Sequence, residues 1–341
     1  MDLTESYNIL FKEHIRKILS DKSTPQKVYH YTDIHGFKGI LENNMFWISH
    51  IDFLNDMTEI KYTLKLSREI MITLCEEEGL NQNVTKSILD EYDKMIELYF
   101  VENKMNYYSL SFSVNQDSNL LWSNYSQNDG YCIMFDIEKL IKGFEGKGYH
   151  VLYSHVNYDI TKQKEILKEQ VLINIFNLLK ILNMDISLSK EDYKEFFKVA
   201  FSGDYGEESL GALSTEAFEK LEEISSPEIL AKASAMILLG ALELIHCCSI
   251  FFKDECFSQE EEFRLAIYFP NNKENYKCRI SNGTFIPYIE MEFQKDSVSG
   301  VTIGPKNNMD INLEGLRKFL ELEDIQIATD EIKKSRIPYR F

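Results

Sequence analysis

The chain is short of the features that mark several common protein classes. Its 341 residues include only 15 glycines and 6 prolines, and no linker-like low-complexity stretch occurs. Neither G-x-G-x-x-G nor G-x-x-x-x-G-K-[ST] is present, so the usual glycine-rich cradles for phosphate are excluded. Neither H-E-x-x-H nor G-x-S-x-G is present, which leaves zinc peptidase and Ser-His-Asp chemistry without local support. Cys75, Cys132, Cys247, Cys248, Cys256 and Cys278 form no C-x-x-C pair and have no companion histidine spacing. They suggest neither a zinc site nor a disulfide framework. Cations are few, 37 Lys and Arg against 55 Asp and Glu, for a net charge of −18. That balance argues against a general grip on nucleic-acid backbone or an anionic membrane surface, while leaving room for a local basic groove.

No membrane segment is expected. The stretch Ala235 to Phe252 is long enough to span, but Glu243 and His246 lie in its middle, where polar groups are expensive. It reads as a buried core helix. The opening Met-Asp-Leu-Thr-Glu lacks the cationic and apolar regions of a secretory signal, so a reducing cytoplasm is expected.

Apolar residues make up 44% of the chain, with 22 Phe and 19 Tyr against 2 Trp, enough for a substantial core. Residues 1–20 show an amphipathic helical pattern. Short β-branched and aromatic runs predict strands at Val28 to Tyr31 and Met45 to Ser49, separated by a helix that Thr32 or Asp33 can cap. A longer helix is expected after Asn55-Asp56, with Ile60, Leu64 and Ile70 inward, and another at about 84–103. Strands resume at Tyr107 to Phe112, Tyr131 to Phe135 and Val151 to Tyr158, with a short helix or ordered loop near Leu120 to Ser126 between the first two. Residues 160–250 read as helical. Strands then return at 262–269, 276–280, 285–292, 298–303 and 325–328.

This order implies an α+β core whose sheet is completed by sequence-distant halves. The expected organisation is an N-terminal helix at 1–27, the first part of the core at 28–158, a helical insertion at 159–252 and the second part of the core at 253–341.

The most informative word is Glu260-x-Glu262-Phe263-Arg264, entering the strand at 262. If Glu260 and Glu262 stand at the start of one strand, they share a face about 7 Å apart, with Arg264 next in the row. Two carboxylates and a guanidinium beside an apolar core suit a place where positive charge develops. The same row also fits a solvated edge strand with a local ion pair. His30 falls inside an expected buried strand, where its imidazole needs partners. Trp122 and Tyr125 are three apart and would share a helix face, as core packing or as a stacking surface.

Taken in order, these words resemble the bacterial domain of unknown function 2971 family. The matching words are Tyr29-His30-Tyr31-Thr32, Phe46-Trp47-Ile48-Ser49, Phe53-Leu54-Asn55-Asp56, Leu110 to Ser113, Leu121-Trp122-Ser123-x-Tyr125 and Gly130 to Asp136. Later come Phe252-Lys253, Phe257-x-x-Glu260-x-Glu262-Phe263-Arg264, Val301-x-Ile303-Gly304-Pro305 and Ile337 to Arg340. The resemblance runs over about 28–340, apart from the helical insertion.

A second resemblance, to ADP-ribosyltransferases, rests on the early His-Tyr-Thr, the middle Ser-x-Tyr and the late Glu-x-Glu. It implies a split, mainly antiparallel β-sheet with flanking helices and NAD bound as substrate in its cleft, without a metal. Glu262 would then stabilise the oxocarbenium-like centre and Glu260 would orient or deprotonate an acceptor. His30, Tyr31, Thr32, Trp122, Ser123, Tyr125 and Arg264 would bind the dinucleotide. Tyr31 or Tyr125 would supply the stacking face, and Arg264 would bind pyrophosphate or pair with Glu260. The expected partner is a macromolecular acceptor, protein or nucleic acid, in a bacterial toxin or antiphage defence role. A regulatory or phage protein at the helical insertion, or a second copy of the chain, is a further expected partner. The residue after His30 and the long spacing to Glu262 depart from the transferase pattern. A non-catalytic nucleotide-sensing or protein-binding module and an NAD glycohydrolase remain alternatives.

Overall fold

A computed structural model describes residues 15–53, 58–102, 107–127, 129–144, 150–185, 227–268, 276–281, 283–307 and 310–338. The chain divides into two compact units. The first comprises Met1–Met57, Asn106–Tyr158 and Lys253–Phe341; the second comprises Thr58–Met105 and Asp159–Phe252.

The first unit is an α+β body around a mixed, mostly antiparallel open sheet. Its strands are β1 Lys27–Thr32, β2 Met45–His50, β3 Tyr107–Ser113, β4 Tyr131–Asp136 and β5 His150–His155. Then come β6 Glu262–Tyr268, β7 Lys277–Ser281, β8 Thr284–Glu292, β9 Val298–Ile303 and β10 Ile332–Lys334. The strand order is β10-β9-β4-β1-β3-β2-β8-β7, with β6 pairing both β3 and β5. Among the described residues, only the β9–β10 pairing is parallel.

The sheet is split where β1 and β2 meet β3. β1 pairs with β3 at Tyr29 and Ser113, whereas β2 pairs with it at Ser49–Ser109 and His50–Tyr108. The other edge of β3 is paired along its whole length with β6, from Tyr107–Tyr268 to Ser113–Glu262.

Alternation sets the two faces. Val28, Phe112, Ile133, Phe135, Phe263, Leu265 and Ile267 fall on one face and join one apolar core. Helices Ile34–Asn43, Ile137–Phe144 and Asp310–Leu322 bring Phe37, Leu41, Leu140, Phe144, Leu316 and Leu320 to that core. Asp33 caps the first of these, its carboxylate accepting from the Gly36 amide at 2.7 Å. Glycine is needed at Gly130 because a Cβ there would lie 2.1 Å from the Thr32 carbonyl oxygen.

The described residues of the second unit are mainly helical. Thr58–Glu77 and Gln82–Glu102 group with Ile160–Ile166, a π-helical turn at Leu167–Leu172, Ile173–Asp185 and Pro227–Phe251. Its buried residues include Leu66, Ile70, Met71, Tyr92, Val171, Phe176, Leu242 and Ile245. A buried hydrogen bond from the Tyr92 hydroxyl to Ser67 Oγ, at 2.7 Å, joins its first two helices. Ile60 and Leu64, expected inward, are half-buried, because the inward stripe runs through Leu66 and Ile70.

Two expectations need correction. Residues 325–328 form no strand. Ile325 is instead buried in the core after Asp324 turns the chain with φ 52°, and the parallel partner of β9 begins at Ile332. A parallel partner needs a crossover, and the helix Asp310–Leu322 with the segment after it supplies that return. The strand expected to reach Tyr158 ends at His155. Of the amphipathic 1–20 pattern, 15–19 is helical, and the remainder lies outside the described residues, as do Asn55 and Asp56. No helix among the described residues is long and apolar enough to cross a membrane.

Candidate functional site

The face of the sheet opposite the main core carries charge. Tyr29, Ser113 and Glu262 stand in one row across β1, β3 and β6, and Ser111, Arg264 and Ser154 stand in the next row, across β3, β6 and β5. Glu260 does not stand in the β6 row as expected. It is the last residue of a 3₁₀ turn, Glu255–Glu260, and Glu261 adopts a left-handed conformation with φ 46° before β6 begins. That reversal lets two glutamates converge although they are not strand neighbours.

The turn is tied down at several points. The Asp254 carboxylate accepts from the Cys256 amide at 2.9 Å. The Ser113 hydroxyl donates to the Glu260 carbonyl at 2.8 Å, and the Val114 amide donates to the Glu261 carbonyl at 2.9 Å. The Glu262 amide donates to the Tyr158 hydroxyl at 3.2 Å.

Four charges meet there, and all are buried: Lys253, Glu260, Glu262 and Arg264. Arg264 donates from Nε to Glu262 Oε1 at 2.7 Å and from its terminal nitrogen to Oε2 at 2.8 Å. The Lys253 ammonium lies 2.7 Å from Glu260 Oε2 and 3.4 Å from Glu262 Oε2. It also sits 4.9 Å from the centre of the Phe257 ring. Two cations and two anions cancel, which makes burial of the group tolerable. Burial alone pushes the Glu262 carboxyl upward, but Arg264, then Lys253 and a hydrogen bond from Ser111, bring it down to about 2. The anion is therefore permanent at neutral pH.

Tyr125 closes the outer side. Its hydroxyl donates to Glu260 Oε1 at 3.3 Å while the residue stays 45% exposed. Burial of the hydroxyl and the nearby Glu260 charge push the phenol up to about 12. Tyr158 shifts upward for the same kinds of reason, burial first and Glu262 second. The exposed Ser111 lies beside Arg264 on β3.

The structure thus brings together Tyr125, Glu260, Glu262 and Arg264. Arg264 pairs with Glu262, because both stand on β6 two residues apart. The remaining expected residues are elsewhere. Trp122 is fully buried, donates from Nε1 to Asp117 at 2.8 Å, and so has no open face for stacking. Tyr31 is buried edge-on against Trp122, donates to the Asn115 carbonyl at 2.7 Å and accepts from the Ser118 amide at 3.0 Å. Both stand on the helix Asn119–Ser126, Trp122 buried and Tyr125 half-exposed. Ser123 is exposed on the helix Asn119–Ser126.

His30 and Thr32 fall on the main core face, because they alternate with Tyr29 and Tyr31. The His30 ring meets Phe46 and Phe112 edge-on, and its Nδ1 lies 3.2 Å from the Ser111 carbonyl within the split. Burial lowers its imidazole to about 4, so it is neutral at pH 7 and Nδ1 carries the hydrogen it donates. His30 and Glu262 are therefore on opposite faces of the sheet. The residues that sequence reasoning left out are Lys253, Ser113 and Tyr158. Lys253 and Ser113 had a signal, standing in the Phe252-Lys253 and Leu110 to Ser113 words. Among the described residues, no group of three or more His, Cys, Asp or Glu is placed to hold a metal ion.

The chain is thus defined as an α+β protein whose mixed, mostly antiparallel open sheet carries a buried, charge-balanced cluster at the entry to one strand. Residues 121–265 match the model of the family described as protein of unknown function DUF2971, which supports the family resemblance drawn from the sequence. The matched stretch contains Tyr125, Lys253, Glu260, Glu262 and Arg264. No curated protein and no solved structure matches the chain.

Proposed function

We propose that the chain is an ADP-ribosyltransferase-like protein that consumes NAD and modifies a macromolecular acceptor, with Glu262 as the carboxylate facing the positive charge that develops. The observation that carries this reading is Glu262 itself: a carboxylate held ionised by Arg264, beside the half-exposed ring of Tyr125 and the open Ser111. A fixed anion needs no reorganisation when an oxocarbenium-like centre forms. In this reading Glu260, hydrogen-bonded to Tyr125, takes a proton from an acceptor. In this reading Tyr125, not Tyr31 or Trp122, supplies the stacking face. His30 acts from the other side of β3 by holding the Ser111 carbonyl. A bacterial toxin or antiphage role goes with the same reading.

The test is nicotinamide release from NAD by purified protein, with and without cell lysate, in wild type and in Glu262→Gln and Tyr125→Phe. Release that needs lysate and disappears in Glu262→Gln supports transfer, provided that the variant keeps its near-ultraviolet circular dichroism. Release without lysate identifies hydrolysis. No release under either condition sinks the enzyme reading for the isolated chain.

One observation favours a second reading, a nucleotide-binding module without turnover. Both oxygens of Glu262 are engaged by Arg264, so much of its charge is already compensated. That reading expects saturable NAD binding by calorimetry together with no release of nicotinamide.

A further inference from the structure

Two adjacent carboxylates resist being ionised together, and one of such a pair ordinarily keeps a proton. Glu260 and Glu262 are brought close by the left-handed turn at Glu261, yet they converge on a cation common to both, the Lys253 ammonium at 2.7 and 3.4 Å. The lysine is placed for this. Its side chain is 9% exposed, its amide donates to the Asn157 carbonyl at 3.1 Å, and its ammonium rests over the Phe257 ring. Asp254, the next residue, caps the turn that delivers Glu260.

We propose that Lys253 is a positioning residue of this site, bridging Glu260 and Glu262 so that both stand side by side as anions. Arg264 fixes Glu262 on β6, while Lys253 links that fixed anion to the turn carrying Glu260. Among the described residues, the charged and titratable groups facing the pair include Lys253, Arg264, Tyr125 and Tyr158. With Lys253 neutral, the two glutamates keep their mutual repulsion and lose the bridge. One of them then takes up a proton, and the Glu260 turn loses its hold. The proposal rests on the preceding reading for what the pair is used for, and on geometry alone for how the pair is held.

The experiment uses the full chain labelled with carbon-13 at the glutamate carboxyls. Titration by NMR compares wild type with Lys253→Met, which keeps an apolar stem over Phe257, and with Lys253→Arg, which keeps the charge. The expected result is that one of the two carboxyl midpoints moves up by about 1–3 pH units in Lys253→Met and returns most of the way in Lys253→Arg. Unchanged midpoints in a folded Lys253→Met protein overturn the proposal. If Lys253→Met does not fold, the double variant with Glu260→Gln decides. Removing the opposing anion should recover at least a tenfold larger folding equilibrium constant than Lys253→Met alone, and no recovery overturns the bridge. Absence of NAD turnover in wild type would sink the enzymatic reading and leave this titration intact.

Discussion

The two faces of β1, β3 and β6 solve the problem of burial in opposite ways. Val28, Phe112 and Phe263 point to one side and join a close-packed apolar core. Tyr29, Ser113 and Glu262 point to the other, where Glu262 and its neighbour Arg264 are as deeply buried as the phenylalanines. An offset of one residue separates the two chemistries. The core face depends on shape and volume; the charged face depends on every partner being present. A truncated Phe leaves a cavity, whereas a truncated Arg264 leaves two buried anions beside a single lysine, Lys253.

That contrast can be broken by pH. Phe263→Ala and Arg264→Met should each lower stability by about 3–5 kcal/mol at pH 7, as read by urea denaturation. The Phe263→Ala loss should be the same at pH 4. The Arg264→Met loss should shrink there, because without Arg264 burial raises the Glu262 carboxyl and lets it take a proton. Equal pH behaviour in the two variants would erase the distinction between the faces.

The next largest effect belongs to Glu262 in the wild-type chain. Its folded-state value of about 2 lies below the ordinary 4.5. The stabilisation is therefore present above pH 4.5 and is lost as pH falls toward 2; it amounts to roughly 3 kcal/mol. A stability curve measured from pH 6 to 2 should show this acid limb, and Glu262→Gln should flatten it.

His30 sharpens the comparison from the apolar side. Burial holds its imidazole at about 4 against an ordinary 6.5, so folding favours the neutral ring. Stability contributed by neutral His30 is full above pH 6.5 and falls as pH drops toward 4. An NMR titration of the imidazole should give a midpoint near 4; a midpoint above 6 would place His30 in a wet cleft instead. The smallest effect is expected from Tyr125→Phe. Its hydrogen bond to Glu260 is long and its ring half-exposed, so the loss should stay under about 1.5 kcal/mol. A larger loss would mean that the rim is part of the rigid network.

Much of the sheet was legible in the sequence because its strands are short β-branched or aromatic runs with clear ends. The runs at Tyr107, Tyr131, Glu262 and Val298 all became strands at or within a residue or two of the expected bounds. The last strand was misplaced because Ile325 has a strand-like neighbourhood but serves the core. Nor does sequence show that Thr58–Glu77 and Gln82–Glu102 cluster with 159–252, since that grouping exists only in space. In the site, Glu260, Glu262 and Arg264 stood out as a dense charge word. Which cation serves which anion was hidden, because the turn at Glu261 breaks the strand row that the spacing suggested. His30 was assigned to the same cleft as Glu262 because motif order carries no information about sheet faces. Only the pairing of Tyr29 with Ser113, and of Ser113 with Glu262, decides that.

The bond between Ser113 and Glu260 spans 147 residues of chain in 2.8 Å. A ribosome making this protein finishes β3 long before β6 exists. Until then the edge of β3 that β6 will occupy lacks its native partner, and Ser113 lacks its acceptor. Such distant closure is slow, since loop entropy must be overcome before the contact can reward it. The charge cluster therefore closes only after this long-range contact can form, and a nascent chain released before Arg264 would carry every earlier motif residue without that cluster.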